Sequence, residues 1–260
     1  MNTLASIGIE HIDAREWSCI DFISDIHLSA QSHDLMLGLE TYLKRTQAHA
    51  VFILGDLLEL WIGDDCLGDA HFEIERACAQ MLKHSSQLRP TYFMPGNRDF
   101  LIGQGFIDQS GLSLLCDPCI LETQGKRILL SHGDALCKSD LDYQAFRQEV
   151  RSKDWQTHFL ALPLSERLSL AQKMRAQSQL KQSSLSQKDY AELDAPSCID
   201  WLEQFNCELL IHGHTHRPMR HPLTPTLARE VLSDWDASAS PKRGQALRLL
   251  DGQLQRIEVF

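Results

Sequence analysis

The chain has 260 residues, with 25 Lys+Arg against 35 Asp+Glu and a formal net charge of −10. Its 43% apolar content allows a buried core, which excludes disorder as the dominant state. The acidic balance excludes broad, sequence-blind polynucleotide binding, so no nucleic-acid partner is expected.

The chain begins polar: Glu10, His11, Asp13, Arg15 and Glu16 interrupt the first stretch. No secretory signal is expected, and residues 1–17 read as an N-terminal extension. No run approaches the roughly 20 apolar residues of a membrane-crossing helix, so a cytosolic protein is expected. The eight cysteines then read as free thiols. Cys116-Asp117-Pro118-Cys119 has no second pair to complete a zinc ribbon and reads as a turn.

Buried strands are predicted at Cys19–Ile23, Ala50–Leu54, Thr91–Met94, Arg127–Leu130 and Glu208–Ile211, from short runs rich in Ile, Leu and Val. Helical spacing lies between the early ones, at Asp34–Arg45 and Ala70–Lys83. This alternation predicts a layered α/β fold. The segment 142–194 holds no strand pattern and reads as a helical insertion between core segments 18–141 and 195–260. Tyr143–Val150 and Leu164–Gln177 have helical spacing there, with Leu164, Leu168, Ala171 and Met174 on one stripe. Gln245–Leu250 and Leu254–Val259, around Asp251-Gly252, predict a closing hairpin.

Five constellations follow apolar strands directly, where open α/β sheets place ligand sites. They are Asp25-Ile26-His27, Gly55-Asp56, Gly96-Asn97-Arg98-Asp99, His132-Gly133-Asp134 and Gly213-His214-Thr215-His216. Singly each is weak. As an ordered set they offer oxygen and imidazole donors without thiolate, a chemistry suited to Mn2+, Fe or Zn2+. Arg98 reads as a forked phosphate clamp, because guanidinium is no proton donor near neutral pH; the alternative is an ion pair with Asp99. Asp64, Asp65, Glu59 and Asp134 read as turn, structural or ligand-orienting groups.

This ordered set resembles the calcineurin-like metallophosphoesterases. Gly55-Asp56-Leu57-Leu58-Glu59-Leu60-Trp61, Gly96-Asn97-Arg98-Asp99-Phe100-Leu101, Tyr143-Gln144-Ala145-Phe146-Arg147 and His212-Gly213-His214-Thr215-His216-Arg217-Pro218 narrow the resemblance to the UDP-2,3-diacylglucosamine diphosphatase branch. It runs from about Asp21 to Pro218; residues 223–243 match poorly. The resemblance implies a four-layer α/β sandwich with a helical lid and a centre of two Mn2+ ions. One ion would take Asp25, His27, Asp56 and His216, and the other Asp56, Asn97, His132 and His214. Catalytic roles would fall to Asp56, Asn97, Arg98 and His132.

The implied reaction cleaves UDP-2,3-diacylglucosamine to UMP and 2,3-diacylglucosamine 1-phosphate in lipid A biosynthesis. Water would attack the uridine-side phosphorus. The branch also implies a monomer held peripherally on the cytoplasmic face of the inner membrane. Substrate contacts would come from Asn97, Arg98, Asp140, Ser178, Gln182 and His214, with Tyr143, Arg167 and Arg175 as neighbours. A lysine of the branch aligns with Leu185, and Lys181 or Lys188 stands nearby to replace it. Between Tyr143 and Lys188 there are eight basic and three acidic residues, a balance that suits an anionic amphiphile. Two other readings remain: a diphosphatase or phosphodiesterase of soluble nucleotides, and a non-catalytic scaffold with the same fold.

Overall fold

The computed structural model describes residues 9–123, 125–183 and 192–260, with side chains described to residue 176 within the insertion. The strands are β1 (Glu10–Asp13), β2 (Cys19–Ile23), β3 (Ala50–Leu54), β4 (Thr91–Met94), β5 (Ser113–Leu114) and β6 (Cys119–Thr123). They continue with β7 (Lys126–Ser131), β8 (Leu209–His212), β9 (Arg220–Pro222), β10 (Ala228–Val231), β11 (Gln245–Leu250) and β12 (Gln253–Glu258). The helices are α1 (His33–Arg45), α2 (Glu73–Leu88), α3 (Gln104–Ser110), α4 (Leu141–Val150), α5 (Lys153–Leu160), α6 (Leu164–Ser183) and α7 (Ala195–Gln204). Two six-stranded sheets result, ordered β12-β11-β2-β3-β4-β5 and β1-β6-β7-β8-β10-β9.

Strand alternation generates the layers. In β2 and β3, Ile20, Phe22, Phe52 and Leu54 face the second sheet and pack on Leu121, Ile128, Leu130 and Ile211. Cys19, Ile23, Val51 and Ile53 face the other way, onto Leu39 of α1, Leu82 of α2 and Phe106 of α3. Leu129 of β7 and Leu210 of β8 point outward and are covered by Cys198 and Leu202 of α7. The order is helix, sheet, sheet, helix: four layers, as the family resemblance implies. The stripe Leu164, Leu168 and Ala171 packs α6 against the helix-side core.

The predicted strands and hairpin stand within about two residues of their expected bounds. The hairpin turn has Asp251 at φ 48° and Gly252 at φ 78°, the left-handed pair that a tight hairpin turn requires. The helix predicted at Ala70–Lys83 begins later. Ala70–Phe72 is a 3-10 turn, because the Asp69 carboxylate accepts from His71 N at 2.8 Å and holds that first turn.

The reading of residues 1–17 as an extension needs correction at residues 10–13. Glu10–Asp13 pairs in parallel with Cys119–Glu122 and forms an edge of the second sheet. The strand Ala228–Val231, in the poorly matching stretch, is a fully buried parallel neighbour of β8. Its Arg229 and Glu230 hide it from a hydropathy reading. Arg229 donates to His212 Nε2 at 3.1 Å, and Glu230 pairs with Arg256. All eight cysteines are free; Cys116 is exposed and Cys119 buried. No helix among the described residues is long and apolar enough to cross a membrane.

Candidate metal centre

Five strands of the two sheets end at one place. Asp25 and His27 follow β2, Asp56 follows β3, Asn97 follows β4, His132 follows β7, and His214 and His216 follow β8. Asp25, His27, Asp56, His214 and His216 all have φ between 52° and 69°. Such left-handed backbone is strained for residues with a side chain and recurs where function holds it in place. Gly96 is required for room, since a Cβ there would fall on the Asp56 carboxylate.

The side chains form two groups. In the first, His27 Nε2 lies 3.4 Å from His216 Nε2, and His216 Nε2 lies 3.3 Å from Asp25 Oδ1. In the second, Asn97 Oδ1 lies 3.0 Å from His132 Nε2 and 2.9 Å from His214 Nδ1. Asp56 stands between them, with Oδ2 3.9 Å from His27 Nε2 and Oδ1 3.7 Å from His132 Nε2. Asp25, His27 and His216 can converge on one cation, as can Asp25, Asp56 and His132. Ring nitrogens facing each other across carboxylate oxygens are well satisfied by cations between them. The donor set thus fits divalent metal, and all seven expected ligands lie in the two groups.

Electrostatics agree with a cluster built to hold positive charge. Burial pushes the Asp25 carboxyl up, but His216, His132 and His27 outweigh it and hold the group well below its usual range. Burial pushes His132 down, yet Asp56 and Asp25 carry it up to about 9. Burial and the His132 charge push His214 down to about 4. His132 Nδ1 is 2.9 Å from the Leu54 carbonyl; donating there leaves Nε2 toward the cluster.

Asp99 does not pair with Arg98. It is fully buried and accepts from the backbone N–H of Gly96 at 2.7 Å, Leu57 at 2.8 Å, and Asp56 and Leu58 at 3.3 Å. It therefore splices the loop bearing Asp56 to the loop bearing Asn97. Burial, then the neighbouring Asp56 charge, push its carboxyl up to about 7. Asp99→Ala should cost about 3 kcal/mol of stability by orphaning these donors, read as a lower midpoint in urea at unchanged slope. An unchanged midpoint would contradict this role. Arg98 is left half-buried, its side chain unpaired among the described residues and its Nε enclosed without a hydrogen-bond partner.

The remaining expected residues fall out as follows. Asp140 caps α4, its Oδ1 accepting from Tyr143 N at 3.1 Å. The Tyr143 ring sits 5.9 Å from that of His214. Ser178, Lys181 and Gln182 have side chains outside the described set, and Leu185 and Lys188 lie outside the described residues. Asp64 holds α3 through Gly103 N and Gly105 N at 3.0 and 2.7 Å. Asp234, unremarked in the sequence, lies 3.9 Å from His216 Nδ1 and is gripped by Arg243 at 2.6 Å. No motif surrounds it, so sequence spacing carried no signal.

The basic character of the insertion proves to be partly structural. Tyr143 and Arg147 donate to Asp134 at 2.8 Å, and Arg151 donates to the Gly96 carbonyl at 2.9 Å. Arg167, 2% exposed, pairs with Asp65, and Arg175 pairs with Glu59. Four of the eight basic residues thus dock the insertion onto acids of the core. The charge excess facing outward is smaller than composition alone suggested.

Comparison with known proteins agrees with this geometry. The family described as calcineurin-like phosphoesterase matches residues 20–218. A UDP-2,3-diacylglucosamine hydrolase of Aeromonas hydrophila subsp. hydrophila is 45% identical over 221 residues, covering 82% of this chain and 89% of that protein. Proteins of the same name from Chromohalobacter salexigens and Chromobacterium violaceum are 40% and 42% identical. Each covers 92% of this chain, with 96% and 98% of their own lengths. With its ligand groups at the ends of five strands, the chain belongs to the calcineurin-like phosphoesterase family, in the branch it shares with these hydrolases.

Proposed function

We propose that this chain hydrolyses the diphosphate of UDP-2,3-diacylglucosamine to UMP and 2,3-diacylglucosamine 1-phosphate, a step of lipid A biosynthesis, using two Mn2+ ions. The carrying observation is the pair of ligand groups sharing Asp56, set beside Arg98, whose side chain pairs with no anion among the described residues. Relatives named for this substrate align over most of the chain. Divalent cations, when bound, lower the pKa of attacking water and neutralise charge on phosphate oxygens.

The protein's own groups do the rest. Asp56, directing one oxygen at each ligand group, sets their separation. Asn97 is a neutral donor, so it leaves more positive charge for the phosphate than a carboxylate would. Arg98 presents a fork of N–H donors to the diphosphate. Proton donation to the leaving group is not required, because phosphate departs as an anion. Arg98 therefore suits diphosphates better than alkyl phosphomonoesters. His214 and Asp140, with Ser178 and Gln182, complete the polar contacts of this reading.

Three large apolar side chains of the insertion are exposed, Phe146, Leu160 and Leu170, and so is Leu141 at its edge. We assign these side chains to contact with acyl chains and to peripheral attachment at the cytoplasmic side of the inner membrane. Each buried methylene contributes about 0.8 kcal/mol. Leu141→Asp combined with Phe146→Asp should raise KM for the lipid substrate at least about tenfold while metal content stays unchanged. Equal KM would remove this assignment.

Reaction in oxygen-18 water tests the site of attack. The label is expected in UMP. Label confined to the lipid phosphate would overturn attack at the uridine-side phosphorus.

A further inference from the structure

Three core carboxylates are gripped by arginines of the insertion: Asp134 by Arg147, Asp65 by Arg167 and Glu59 by Arg175. Among the described residues, Glu59 alone of the three also touches a histidine of the ligand groups. Its Oε2 lies 2.8 Å from His27 Nδ1. The opposite nitrogen of that ring, Nε2, faces Asp56 and His216 at 3.9 and 3.4 Å. His27 Nδ1 is buried and makes no aligned hydrogen bond, so the contact is close but off-line. Glu59 Oε1 pairs with Arg175 Nη1, and that nitrogen also donates to the Glu59 carbonyl at 3.1 Å. Glu59 and Arg175 are 116 residues apart, and Arg175 belongs to α6, the longest helix of the insertion.

We propose that Glu59 is a positioning residue for His27 and that Arg175 is its lever, so that seating of the insertion and cation affinity of the first ligand group form one coupled equilibrium. This rests on the metal-centre reading above. A cation held by Nε2 leaves the ring proton on Nδ1, and a carboxylate acceptor there fixes the ring's orientation and raises its basicity. With α6 seated, Arg175 occupies one Glu59 oxygen and leaves the other against His27. With α6 lifted, Glu59 regains its rotamers and Nδ1 loses a fixed acceptor. Linkage makes the effect reciprocal: cation binding favours the seated insertion by the same factor. A substrate whose lipid portion seats α6 would then tighten the first ligand group as its diphosphate arrives.

The test is a Mn2+ titration of metal-stripped full-length protein by calorimetry, with hydrogen exchange of residues 164–176 as a second readout. Wild type is expected to show two binding events. Glu59→Ala should weaken one of them about 10- to 100-fold and leave the other in place. Glu59→Gln keeps an oxygen acceptor and should recover most of that loss. Arg175→Ala should weaken the same event about fivefold or more, while Lys173→Ala, an exposed site on the same helix, should not. Mn2+ should slow exchange in 164–176 of wild type and not of Arg175→Ala. Unchanged affinity in Arg175→Ala, or equal slowing in it, overturns the coupling, and this variant decides even where Glu59→Ala fails to fold. A wild-type protein that binds no Mn2+ overturns the metal-centre reading instead.

Discussion

Replacing Asp56 by Ala is expected to lower kcat for the lipid diphosphate by more than about 10³-fold. Asp56 is 2% exposed and directs one oxygen at each ligand group. Its Oδ1 also accepts the backbone N–H of Arg98 at 2.8 Å. Removal therefore loses a shared donor and an anchor of the phosphate clamp together. Asp99 cannot take over this role, since it is committed to four backbone donors. Metal analysis of the purified variant should show reduced Mn2+ content. A variant with full metal content and wild-type kcat would refute the bridging role.

The second large effect is expected at Arg98. Arg98→Ala should lower kcat/KM by about 10²- to 10³-fold, comparable to losing a donor aimed at developing charge, or about 3–4 kcal/mol of transition-state stabilisation. Arg98→Lys should recover only part of this, because lysine offers a point charge in place of a planar fork. Metal content should stay unchanged in both, which separates this effect from that at Asp56. Hydrolysis of a simple alkyl phosphomonoester should change little. A variant losing both activities equally would place Arg98 with the metal centre instead of the diphosphate.

Much of this arrangement was legible because it depends on local signals. Apolar runs such as Ala50–Leu54 are buried on both faces and announce their strands. Candidate ligand residues stand one to four positions beyond those strands, so order along the chain translates directly into proximity in space. Groups that act across the fold left no such signal. Asp99 adjoins Arg98, which invited an ion pair, yet its partners are backbone donors that composition cannot reveal. The short edge strand Glu10–Asp13 carries one aliphatic residue and alternates only between half-buried and exposed, too little pattern to show. The insertion's basic residues suggested an anionic ligand, but Arg147, Arg167 and Arg175 meet acids 13, 102 and 116 residues away. Their purpose is visible only once the chain is folded.

The dependence of catalysis on the metal centre is read most directly from turnover of UDP-2,3-diacylglucosamine by metal-stripped protein during stepwise return of Mn2+. No turnover is expected without cation, followed by a rise that saturates at two ions per chain. Undiminished turnover by the stripped protein, or saturation at a single ion, would contradict this expectation.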